Sequence, residues 1–131
     1  MADVKIIDID STQWNIKDQE ARNKVTELET LFSNDNTYST EEIKTSKKWI
    51  DGKHIYRKIL QNTEPIRGDV ESWGGLKDTI TNLNIDNCIG CYGISNGIRY
   101  IQFRKDLGFI IYYTGLEERS YIVMEYTKTT N

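Results

Sequence analysis

The chain has 131 residues, two cysteines, one histidine and a net charge of −3. That length suits one domain with its own core, independent of metals or a disulfide network. The acidic balance speaks against a dedicated nucleic-acid binder, which needs a basic footprint. No 18-residue apolar run exists, so no membrane insertion is expected. The start, MADVKIIDID, lacks the basic lead and apolar core of a signal peptide, so the chain is expected to be assembled in the cytoplasm. Eight tyrosines, three tryptophans and three phenylalanines point to a β-rich domain with amphipathic side chains at its surfaces.

Val4–Ile9 is short and rich in β-branched residues and reads as a β-like arm. Lys17–Phe32 follows, with helix formers and neither Gly nor Pro. Its apolar residues Ala21, Val25, Leu28 and Phe32 are spaced 4, 3 and 4, and Trp14 extends the series backwards. The stripe is narrow, closer to a coiled-coil seam than to a face lying on a core. Such a helix is marginal alone and needs either its own domain or copies of itself. Ser33-Asn34-Asp35-Asn36 is a turn cluster that ends it.

Tyr38–Leu60 holds the most legible local signal. Asp51-Gly52 separates two runs of β-branched and aromatic residues, which predicts a hairpin with a two-residue type I′ loop. That loop pairs Trp49 with His54 and Lys47 with Tyr56. One face then gathers Ile43, Trp49, His54, Tyr56 and Leu60 as the expected core side, while Ile55, Arg57 and Ile59 share the other with lysines. Residues 43–60 hold six bases and one acid, against a negative balance on both sides. The ordinary reading is lysines guarding an exposed strand edge; the sharper one is a patch for a phosphate-bearing glycan.

Trp73-Gly74-Gly75-Leu76 reads as a bend and Asp86-Asn87 as a turn. Cys88–Ile94, Ile98–Arg104, Phe109–Thr114 and Ser120–Lys128 read as strands, the last three as an antiparallel meander. Six to eight short strands predict a mainly β chain with an antiparallel β-sandwich head domain and a short N-terminal α-helix. The expected division is an N-terminal arm and helix over 1–36 and a head over 37–131.

Candidate chemistry is sparse. Cys88-Ile89-Gly90-Cys91 is a CxxC, but there is no second ligand pair for zinc. In a regular strand, residues three apart face opposite sides, so the two thiols are expected to stay apart as structural cysteines. His54 has no evident nucleophile partner, and no GxSxG, HExxH or phosphate loop appears. No enzyme, no cofactor and no metal are expected. Arg67-Gly68-Asp69 is a tripeptide of some adhesion ligands, too short to weigh heavily. Exposed aromatics suit the apolar faces of sugar rings, and Trp73, Tyr92, Tyr112 and Tyr113 are the candidate ligand-binding residues.

Three segments carry a family resemblance. Trp14-Asn15-Ile16-Lys17-Asp18-Gln19-Glu20-Ala21-Arg22 resembles the WNIKDxEAR segment of tail fibre and receptor-binding proteins from phages and prophages of low-GC Gram-positive bacteria. Tyr38-Ser39-Thr40-Glu41-Glu42 with Lys48–Lys53 and Ile55–Lys58 resembles their YSTEE…KWIDGKxIYRK signature, departing at His54, where proline is common. Ile122–Thr130 is similar to their final IEYTKTT strand. The resemblance frames the chain but leaves 61–97 without a motif. It implies a β-sandwich head on a homotrimer held by a helical or coiled N-terminal segment, with Ala21, Val25, Leu28 and Phe32 as the oligomerisation seam. It also implies a place in the virion tail, other tail or baseplate proteins as partners, and a host cell-surface saccharide as ligand. A purely structural tail component and a small glycan hydrolase domain are the alternatives.

Overall fold

A computed structural model describes residues 2–67, 70–94, 100–112 and 115–130, with side chains from Gln19 onward. The fold is mainly β, with antiparallel sheets and one long N-terminal helix, and is sandwich-like. Helix α1 spans Ala2–Asp35. The strands are β1 (Ile43–Lys48), β2 (His54–Gln61), β3 (Ile85–Ile94), β4 (Tyr100–Arg104), β5 (Gly108–Tyr112) and β6 (Tyr121–Lys128), and a short helix α2 (Lys77–Thr81) precedes β3. Val4–Ile9 therefore lies in α1, not in an extended arm. Its β-branched residues have no strand partner, and helical hydrogen bonds satisfy the backbone instead.

One sheet has the order β1-β2-β6-β3 and the other pairs β4 with β5. The expected meander is thus broken. β6 leaves β5 and inserts between β2 and β3, where its Ile122, Val123, Met124, Tyr126 and Thr127 are buried. The core joins Leu60, Ile122, Met124 and Tyr126 of the large sheet to Ile101, Phe103, Phe109 and Ile111 of the small one. Two isolated bridges, Ile66 with Leu116 and Ser72 with Phe109, tie the connections to this core.

The hairpin forms, but with a different loop. Gly52 N–H donates to the Trp49 carbonyl and Trp49 N–H to the Lys53 carbonyl, both at 2.9 Å, so three residues, Ile50-Asp51-Gly52, make the turn. Gly52 sits at φ 86°, the left-handed position that closes such three-residue loops. Pairing moves by one, to Lys48 with His54, and a bulge between Lys44 and Lys48 then places Ile43 opposite Arg57. Ile43 consequently shares a face with Ile55 and Arg57, away from the core that holds Leu60. β1 is an edge strand, and its exposed positions Lys44, Lys47 and Lys48 suit the edge-guarding reading.

That second face is solvated around Tyr92 and Tyr121 but not at its β1–β2 end. The end of α1 and the turn after it cover this part. α1 has no basic residue in its last turn, and a helix C-terminus leaves orphan carbonyls that attract a cation. Arg57, only 3% exposed, supplies it from the sheet. Its guanidinium donates to the carbonyls of Asp35 (2.9 Å), Thr37 (3.0 Å) and Asn34 (3.5 Å), lies 4.5 Å from the Tyr38 ring centroid and pairs with Glu125 at 3.8 Å. Asp35 accepts from the Ser46 hydroxyl and, at 2.7 Å, from its backbone N–H, and Asn34 donates to the Lys44 carbonyl. These Ser46 bonds hold the Asp35 carboxyl below its ordinary value near 3.8. Before this joint residues 19–30 are all exposed, including Ala21, and Val25 (52%), Leu28 (50%) and Phe32 (58%) are uncovered in the single chain.

Candidate functional site

Trp73 is fixed by the chain around it. Ser72 N–H donates to the Phe109 carbonyl at 3.1 Å and Phe109 N–H returns a bond to Ser72 at 2.5 Å. This close approach requires Gly108, at φ 88°, because a Cβ there would meet the Ser72 carbonyl oxygen at 2.5 Å. Upstream, buried Asn62 donates to the Glu64 and Glu117 carbonyls at 2.9 and 2.7 Å and holds the loops together. The indole then stands edge-on to Phe103, ring centroids 5.8 Å apart at 76°.

A groove of about 230 Å³ opens beside it, lined by Trp73, Ile80, Thr81, Asn84, Ile85, Phe103 and Lys105. Its floor is aromatic and aliphatic; its rim is an amide, a hydroxyl and an ammonium. The Thr81 hydroxyl donates to the Lys77 carbonyl at 2.7 Å, so its lone pairs still accept. Lys105 donates to the Asp86 carbonyl at 2.9 Å, and Lys77 Nζ lies 6.0 Å from the Trp73 ring centroid. An apolar floor with a few convergent polar groups is the usual form of a small-molecule site. An exposed aromatic face with hydrogen-bonding neighbours suits a sugar ring.

The other aromatic candidates lie elsewhere. Tyr92 is exposed on the outer face of the large sheet, opposite Val123, and its hydroxyl contacts Tyr38. Burial and that contact raise its pKa. Tyr112 pairs with Tyr100 on the outer face of the small sheet, ring centroids 5.2 Å apart. Tyr113 lies outside the described residues, as do Gly68 and Asp69 of the adhesion-type tripeptide. Trp73, Tyr92 and Tyr112 therefore do not converge. The partners that complete the Trp73 groove come from α2 and the turn after it, β3, β4 and the turn after β4, and sequence reasoning missed all of them.

The CxxC corrects another expectation. A bulge between Cys88 and Gly90 sets Cys88 opposite Tyr126 and Cys91 opposite Met124. Tyr126 and Met124 share the core face, so both thiols share it too. They line a second groove, about 340 Å³, between β3 and β4. Both are free thiols. Burial pushes Cys88 up to about 11 and raises Cys91 further, which keeps them protonated and weakly nucleophilic. His54 is half-buried, with its Nδ1 3.0 Å from the Thr45 carbonyl oxygen. Among the described residues, no group of three or more His, Cys, Asp and Glu side chains forms a metal-ligand set. No helix among them is long and apolar enough to cross a membrane.

No family model, curated protein or solved structure matches the chain.

Proposed function

We propose that this chain is a non-catalytic recognition subunit of a phage or prophage tail, held as a homotrimer through α1 and binding a host cell-wall saccharide in the Trp73 groove. The observation that supports the reading best is where the resemblance segments meet. Glu42 of YSTEE accepts from the Tyr126 hydroxyl at 2.6 Å and from Lys128 at 2.7 Å, both in the final strand. Lys58 donates to the Thr40 carbonyl at 2.5 Å, and Arg57 lies over Tyr38. The signature describes the joint between helix and head, which suits a module carried by many heads of different specificity.

The length of α1 supports self-association. Val4, Ile7, Ser11, Trp14, Asp18, Ala21, Val25, Leu28 and Phe32 alternate at intervals of three and four along one helix. That run passes the three to four heptads that define a coiled coil, and its polar positions Ser11 and Asp18 suit register-setting sites. Three weak sites on one tip then gain avidity without any single tight contact. Two measurements test the reading. Light scattering should give a trimer that Val25→Asp dissociates; a wild-type monomer sinks the trimer. Pull-down on purified host cell walls should capture the chain and lose the Trp73→Ala variant. Retention of that variant moves the ligand site elsewhere, and no capture at all leaves a structural tail component.

A further inference from the structure

We propose that the Trp73 groove selects an anionic sugar unit, one bearing a phosphate or carboxylate, with Lys105 and Lys77 meeting the charge while the indole meets the ring. The inference rests on the saccharide reading of this groove and narrows it. At about 230 Å³ the groove falls below the roughly 300–1,000 Å³ of drug-sized pockets, so it takes one substituted ring and not a chain.

The charge pattern carries the argument. No carboxylate lines the groove. The nearby Asp86 carboxylate is occupied by Lys53 at 2.7 Å, outside the lining, and that bond holds its pKa down. Lys105 uses one donor on the Asp86 carbonyl, and an ammonium has three. Lys77 Nζ lies over the indole, 6.0 Å from its centroid and outside the groove lining, where it adds positive charge beside the aromatic wall. A neutral sugar would use the floor, the Asn84 amide and the Thr81 hydroxyl, and leave the remaining donors of both ammonium groups without an anionic partner.

The test is titration calorimetry on the full chain with glucose, glucose 6-phosphate, glucuronic acid and inorganic phosphate, at low and at physiological salt. Exposed ion pairs are individually weak, so the charged sugars should bind about five- to tenfold tighter than glucose, and less so at higher salt. Lys105→Gln with Lys77→Gln should bring that ratio close to one by weakening the charged sugars more than glucose. Both lysines are exposed, so the variant folds. Comparison of the phosphate and the uronate separates the two anion sources. Equal binding of glucose and both charged sugars overturns the charge preference while the saccharide reading stands. Inorganic phosphate binding as tightly as glucose 6-phosphate makes this a bare anion site and overturns the inference. Absence of binding by every sugar, or sugar binding untouched in a folded Trp73→Phe or Trp73→Ala variant, overturns both readings of the groove.

Discussion

Replacing Arg57 with methionine should uncouple the helix from the head. The side chain keeps its apolar stem length, so the change tests the guanidinium. Two good charge-assisted bonds, to Asp35 and Thr37, and a third at 3.5 Å to Asn34 are lost, along with the contact over Tyr38. Hydrogen bonds to a charged group contribute about 1.5–3 kcal/mol each. Part of this is offset, because the guanidinium no longer needs desolvating and the freed carbonyls reach water. A net loss of about 3 kcal/mol follows for the joint. Urea unfolding of the head measures the global part, and hydrogen exchange at residues 34–38 measures the local part. Arg57→Lys is the control: it keeps the charge but on a shorter side chain whose ammonium does not reach the place of Nη1, the nitrogen that meets all three carbonyls, and it should recover less than half of the loss. If Arg57→Met unfolds within about 1 kcal/mol of wild type and residues 34–38 keep their protection, the account of Arg57 as the helix's C-terminal cation is wrong.

Two further changes report on other parts of the fold. Gly52 and Gly108 both sit at positive φ, but a Cβ meets open space at Gly52 and the Ser72 carbonyl oxygen at Gly108. Gly52→Ala should cost about 1–2 kcal/mol from backbone strain alone, and Gly108→Ala clearly more in the same chemical denaturation series; equal losses would refute the close approach at Ser72. The Cys88 thiol is raised to about 11 from an ordinary 9.0, so it stays protonated in the folded chain at a pH where the unfolded chain ionises. Its contribution is complete below pH 9 and is lost as pH rises towards 11. The alkaline fall in urea midpoint should therefore shrink in Cys88→Ala, and an undiminished fall contradicts the burial argument.

Local chemistry was readable and distant packing was not. The hairpin and the later strands declared themselves through β-branched runs and turn residues. Asp51-Gly52 misled by one residue, because the same dipeptide serves two-residue loops and three-residue loops that end in a left-handed glycine. That single residue moved Trp49 off His54 and carried Ile43 to the face of Ile59 and Arg57, and the two-residue shift in β1 then set it opposite Arg57 without changing face. A bulge in β3 likewise reversed the geometry of Cys88 and Cys91. Bulges leave no local mark in a sequence of strand formers, and a one-residue bulge inverts the face of everything beyond it. α2 was hidden because five residues show no period. Trp73 stood out as an aromatic beside two glycines. Ile80, Asn84, Phe103 and Lys105 reach it only through long-range closure, which no window around Trp73 contains.

The joint and the groove use opposite sides of the head. Arg57, Tyr38 and the end of α1 occupy the outer face of the large sheet, whereas Trp73 and Phe103 belong to the inner layer between the sheets. The joint is built from a buried cation, backbone carbonyls and the β1–β2 edge, groups whose geometry is set by the helix and not by any ligand. The groove joins core residues Ile80, Ile85 and Phe103 to Trp73, Asn84 and Lys105 on connecting segments, and the rim side chains of those segments can change without disturbing the strand order. Sites far apart with no shared partners act additively. Loss of the Arg57 clamp should therefore leave the sugar affinity of an isolated site nearly intact. In the proposed trimer it should instead weaken attachment to a surface, because three heads on loosened joints would no longer present their grooves together and the avidity of a rigid tip would be lost.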